Sequence, residues 1–155
     1  MKKIFLIHLV AVIALLSACG GSSDAGNRQS ASPDELQAEL QAEVMAIHDE
    51  VMPKMSDMNR IARNLRAYLE EHPDLPVEQK QPVETAIASL DEAGESMMDW
   101  MAGYGDLTRS FQEMEAAAVM QALEKEKEKI AGVRDAMLSS MKTGEQLLAT
   151  LNAEE

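Results

Sequence analysis

Cysteine is almost missing from this chain, with Cys19 the single one in 155 residues. A lone thiol closes no intrachain disulfide and assembles no cysteine-based metal site. Aromatic residues are also scarce, at one Trp, two Tyr and two Phe, so the many carboxylates have no aromatic cleft to work in and read as solvated helix faces. Basic residues number 14 against 27 acidic ones, a formal charge of −13. A field of that sign repels phosphodiester backbones and anionic head groups, which excludes nucleic acid as a partner. Only three histidines occur, and Met45 and Leu69 stand three residues before His48 and His72, where a di-iron bundle would need Glu. Zinc catalysis wants three protein ligands. No Gly-x-Ser-x-Gly, phosphate loop or dinucleotide fingerprint is present, so no enzymatic activity is expected. No alternating strand pattern or Asn-Gly hairpin turn appears either.

Long apolar runs are limited to one, Ile4 to Leu16, preceded by Lys2 and Lys3 and followed by Ser17, Ala18 and Cys19. The run is too short to span a bilayer as a stable helix and reads as a signal peptide over residues 1–18. Leu16-Ser17-Ala18-Cys19 resembles the lipobox of bacterial lipoproteins. That resemblance implies cleavage before Cys19, diacylglycerol on its thiol and a further acyl chain on the new amino group. Two or more acyl chains hold a protein stably at a membrane, at about 0.8 kcal/mol per buried methylene. Loss of Lys2 and Lys3 leaves 12 basic against 27 acidic residues, a mature charge of −15. Gly20 after the lipidated cysteine leans towards the outer membrane, facing the periplasm.

Residues 19–33 form the lipidated cysteine and a tether, GGSSDAGNRQSA at its centre, with little to bury. Ser32 as N-cap, Pro33 at the first helical position and Glu35 closing a capping box then predict a helix start. Leu36, Leu40, Val44, Ile47, Val51, Met55, Met58, Ala62, Leu65 and Leu69 recur at steps of three and four, which predicts one long amphipathic helix. His72 to Pro76 breaks it. A second helix starts between Pro76 and Val83 and carries Val83, Ile87, Leu90, Gly94, Met97 and Met101, with Gly103 and Gly105 expected to stop it. The third helical region covers most of Leu107 to Leu151, with its continuity through Phe111 to Ala122 open. The expected fold is all-α: an antiparallel bundle of three helices, or four if the last region divides, over residues 34–152 behind a flexible N-terminal tether. Arg60, Arg63 and Arg66 are expected to pair with acidic residues of another helix, and Glu124–Lys127 and Glu126–Lys129 to pair along their own.

Methionine is the residue in excess: eleven follow the signal, against twelve leucines. Most fall in three groups: Met45, Met52, Met55 and Met58; Met97, Met98 and Met101; and Met137 with Met141. On a helical wheel His48, Met52 and Met55 share one patch at the edge of the first apolar stripe, with Pro53 inside it. Met97, Met98 and Met101 fall in the middle of the second apolar face, with Trp100 on its flank. Methionine at helical spacing is an ordinary core filler, and His48 has carboxylates at Asp49 and Glu50 to bond. The same residues also form a ligand set. Thioethers and imidazole together favour Cu(I), and an indole face attracts a cation. The candidate metal ligands are therefore His48, Met52 and Met55, completed by Met97 or Met101.

HDEVMPKM (His48 to Met55) and MMDWM (Met97 to Met101) resemble segments of small bacterial lipoproteins that often carry the label "viral A-type inclusion protein". The helix through Glu126 to Leu148 is similar to their C-terminal one. This resemblance implies a helical, exported lipoprotein and brings no activity and no site residues. The functional expectation is a lipid-anchored envelope protein acting as an interaction or scaffold module, with another envelope protein or a second copy as partner. The alternative is a periplasmic Cu(I)-binding protein with a His/Met site between helices.

Overall fold

The computed structural model describes residues 31–153; Cys19, the expected signal peptide and nearly all of the expected tether lie outside them. Helix α1 spans Pro33–Val51, α2 Met55–Glu71, α3 Val77–Ser110 and α4 Ala116–Ala153. One-turn 3-10 segments join α1 to α2 at Met52–Lys54 and close α3 at Phe111–Glu113. Among the described residues there is no strand. This is the all-α bundle the hydrophobic periodicity predicts.

Helix α1 begins where its capping chemistry predicts. The Glu35 amide donates to Ser32 Oγ at 3.2 Å, and the Ser32 amide donates to a Glu35 carboxylate oxygen at 2.7 Å. Hydrogen bonds from the Ser32 backbone and then its hydroxyl hold the Glu35 carboxyl below its usual range. Pro53 divides the expected long helix by removing one amide donor. The chain nevertheless stays right-handed helical at both flanking caps, Met52 at φ −55°, ψ −40° and Met55 at φ −54°, ψ −37°. Helices α1 and α2 therefore follow each other as one interrupted rod. Between α2 and α3, Lys80 Nζ donates to the Pro73 carbonyl at 2.6 Å and the rings of Tyr68 and His72 stack 4.3 Å apart.

The expected stop at Gly103 and Gly105 does not occur: α3 runs through both to Ser110. Each interior glycine costs a helix about 1 kcal/mol. Burial of Trp100 and Tyr104 on either side of Gly103 anchors the turn against that cost. The continuity left open is settled by the Phe111–Glu113 turn and an extended Met114, so Leu107 to Ser110 belong to α3 and α4 starts at Ala116.

The rods alternate in direction. His48 meets Met101 and Arg66 meets Asp91 in an antiparallel sense, whereas Lys127 reaches Glu43 and the Gly144 backbone lies against Ile61, so α4 runs parallel to α1 and α2. Buried positions fall at intervals of seven: Val44, Val51, Met58 and Leu65; Val83, Leu90, Met97 and Tyr104; Leu123, Ile130, Met137, Gly144 and Leu151. That spacing is the seam of coiled-coil packing. Of the expected surface pairs, Lys129–Glu126 forms at 2.6 Å, but Lys127 bonds Glu43 across the bundle. Arg66 pairs with Asp91 of α3 at 2.7 Å, while Arg60 stays within its own helix on Asp57.

Gly144 marks the tightest approach. A Cβ there would lie 2.5 Å from Ile61 Cγ2 and 3.3 Å from Leu90 Cδ1, and the β-branched Ile61 has no flexible tip to yield. Gly132, on the same helix, has nothing within 4 Å of that position. The two substitutions to alanine should therefore have opposite signs. Gly144→Ala should destabilise by about 1–3 kcal/mol through overpacking, and Gly132→Ala should stabilise by roughly 0.5–1 kcal/mol through helix propensity. Paired thermal or urea unfolding curves check both.

Candidate interhelical His/Met site

The methionines separate into two populations. Met58, Met97 and Met137 are at most 1% exposed and sit on the seven-residue seams as core. Met45, Met52, Met55, Met101, Met114, Met120 and Met141 are partly buried at the edge of that core. Met98 departs from the expectation that it lies mid-face: it is 53% exposed, and Trp100 takes the buried position instead, at 7%. Seams at seven-residue spacing account for the exchange, since Ala86, Ala93 and Trp100 form one buried column of α3 and Met98 falls outside it.

Two candidate ligands from different helices meet. His48 Nε2 on α1 lies 3.3 Å from Met101 Sδ on α3. The other ring nitrogen, Nδ1, lies 2.8 Å from the Asp49 carboxylate. In a neutral imidazole, that bond places the proton on Nδ1 and leaves the Nε2 lone pair facing the sulfur. Two electron-pair donors then point at each other with no proton between them. With the proton on Nε2 the contact is a hydrogen bond to the sulfur, and with Nε2 unprotonated a cation can accept from both atoms. First-row metal bonds of about 2.0 Å to imidazole nitrogen and 2.3 Å to sulfur put a 3.3 Å separation at a ligand–metal–ligand angle near 100°, within reach of trigonal or tetrahedral coordination.

The surroundings are aromatic on one side. The Trp100 ring lies 5.7 Å from the His48 ring, tilted by 32°, and Tyr104 stacks behind the indole at 4.9 Å. Trp100 Nε1 is buried with no hydrogen-bond partner. The His48 side chain is 14% exposed, so the site is shielded and still reachable from solvent. Burial raises the Tyr104 phenol above its usual range, opposed by a hydrogen bond with Gln41 and reinforced by the nearby Glu126 carboxylate.

The remaining candidates are placed by the helix register. The Met55 methyl points at Gly94, 3.7 Å from where a Cβ would stand, beside the Met58 methyl at 3.0 Å. His48 against Met101 and Met55 against Gly94 are successive rungs of one antiparallel ladder, each seven residues further along both helices. Met52, one turn beyond His48, follows it on the same side of the rod. Met97 belongs to the core seam. Sequence reasoning missed the role of Gly94, whose absent side chain makes room for the thioether methyls. Its place in the apolar stripe of the second helix was the available signal, since a glycine on a buried face leaves a slot for a side chain of the neighbouring rod.

Other concavities hold less chemistry. A groove of about 760 Å³ between α3 and α4 is lined mainly by small residues such as Ala86, Ser89, Ala93, Ser139 and Ser140, with no imidazole or amine. Among the described residues no three His, Cys, Asp or Glu side chains converge as a metal-binding group. No helix among them is long and apolar enough to cross a membrane. Fold and site thus define a helical bundle with a mixed nitrogen–sulfur pair between two rods. Comparison with protein-family models, curated proteins and solved structures finds no match for this chain.

Tyr104 makes the bundle sensitive to alkali. A phenol raised in the folded state favours the neutral form there, so its contribution is complete below the unfolded value of about 10 and is lost as pH rises through the higher folded value. Stability measured by urea unfolding should therefore fall as pH rises above about 10, where tyrosine in the unfolded chain ionises first. Tyr104→Phe should flatten that decline, and an unchanged slope would contradict the assignment.

Proposed function

We propose that the mature protein is a lipid-anchored, non-enzymatic protein of the bacterial cell envelope that binds Cu(I) at His48 and Met101 beside Trp100. The observation that carries the metal reading is the 3.3 Å approach of His48 Nε2 to Met101 Sδ, with Asp49 holding the other ring nitrogen. A soft monovalent ion suits this donor set: thioether and imidazole accept Cu(I) readily and bind hard ions poorly. Asp49 then acts as the outer partner that fixes the tautomer and raises the basicity of the ligand. Trp100 supplies a π face on which a poorly hydrated cation gains further attraction. Met52, on the His48 side of the rod, is the third donor.

The lipobox resemblance at Leu16 to Cys19 supports the address, and the charge of −15 on the mature chain favours cations near the surface. A scaffold module that binds another envelope protein or a second copy would call for a contiguous exposed apolar face. The large hydrophobics exposed among the described residues are Val77 and Met98, too far apart along α3 to form one.

Anaerobic titration against a competing Cu(I) chelator tests the proposal on the chain from Gly20 onward. One Cu(I) should bind per chain, with quenching of Trp100, the single tryptophan. Asp49→Asn should weaken binding by about 10–100-fold, and His48→Ala and Met101→Leu should each weaken it by more. Because the proton and Cu(I) compete for Nε2, affinity should fall as pH is lowered. Absence of binding in the wild type, or equal binding in all variants, refutes the copper reading.

A further inference from the structure

The most anomalous side chain of the bundle is Met98. Apolar side chains of its size lie in the core or at its edge throughout α3, except for Val77 at the helix start, and Met98 stands 53% exposed in mid-helix. It is three residues before Met101. On a helix that spacing makes the two side chains neighbours, with Cβ atoms about 5–6 Å apart. Met98 also borders a surface cavity of about 460 Å³ between α2 and α3, together with Met55, Gly94, Asp91, Glu95 and Asp99. Arg66 lines the same cavity but its guanidinium is bonded to Asp91. The exposed thioether, the Met55 thioether and three carboxylates thus share one opening, one helical turn from the His48–Met101 pair.

We infer that Met98 is the loading ligand of the site: the surface thioether that first takes Cu(I) from a carrier and passes it to Met101 and His48. This rests on the copper reading given above and adds the route by which the ion arrives. The chemistry is ligand exchange at constant oxidation state. A bond from Cu(I) to the carrier breaks as the bond to Met98 Sδ forms; that bond breaks in turn as Met101 Sδ and His48 Nε2 bind. Met55, on the opposite wall, holds the ion while one ligand replaces another. Thioethers suit a transient role because the sulfur is neutral, soft and carries no proton to displace. Asp99 and Glu95 draw the cation towards the opening without being soft enough to retain it.

Stopped-flow mixing of the chain from Gly20 onward with a Cu(I)–bicinchoninate complex, followed by Trp100 fluorescence, separates loading from affinity. Met98→Leu keeps the size and exposure of the side chain and should fold as the wild type does. Loading should slow by about tenfold in Met98→Leu while the equilibrium affinity stays within about twofold. Met141→Leu, on α4, should change neither. A wild-type rate in Met98→Leu overturns the loading role and leaves the His48–Met101 site standing. A matching loss of affinity and rate also overturns it, by making Met98 a ligand of the resting site. If the wild type binds no Cu(I), the copper reading itself fails and the loading role falls with it.

Discussion

The constraint on which the bundle depends is the seven-residue spacing of its buried side chains. Each rod presents one column of large apolar groups per heptad, and the columns interlock only in one vertical register. Gly144 shows how closely that register is set, since its bare backbone accepts Ile61 and Leu90 at a distance no side chain would permit. Once the seam is fixed, the columns beside it are fixed as well. His48 and Met55 stand on the flanking column of the first rod, and Gly94 and Met101 on that of α3. They face each other because Met58, Leu65, Leu90 and Met97 are already locked in the core.

A flanking position gives a side chain two properties that a core position cannot. It is held by the packing next to it, and it remains within reach of solvent. His48 illustrates this, with a side chain 14% exposed, one ring nitrogen on a surface carboxylate and the other turned inward. Met97 illustrates the reverse: on the seam it is fully buried and serves as packing. The abundance of methionine thus reflects two uses of one side chain, filling irregular space in the interior and offering sulfur at the edge.

Much of this was legible in the sequence. The capping box at Ser32 and Glu35, the apolar periodicity from Leu36 to Leu69 and the break at His72 to Pro76 each follow from local chemistry, which needs no knowledge of the partner helix. His48 and Met101 were legible as candidates by residue type and as members of apolar stripes. Their meeting was not, because the relative height of two helices depends on connections and on close contacts such as Gly144. Gly103 and Gly105 misled for a similar reason. A glycine pair ends a helix when nothing holds the turn, and here Trp100 and Tyr104 hold it from the core side. The exposure of Met98 was hidden by a wheel drawn at the ideal helical period, which drifts by about 20° per heptad from the seam that actually packs.

That drift gives the Met52–Lys54 turn a meaning beyond accommodating a proline. A straight α-helix loses about 20° of phase per heptad, whereas a 3-10 turn, at about three residues per revolution, advances faster than the seam requires. At Met52–Lys54 the hydrogen bonding tightens, the Met55 amide donating to the Met52 carbonyl three residues back, while the flanking backbone stays in the right-handed helical region. Val44, Val51, Met58 and Leu65 accordingly stay on one buried line across the interruption. The proline thus interrupts the hydrogen-bond ladder without turning the rod away, and a run of nearly forty residues keeps one face to its neighbours across the break.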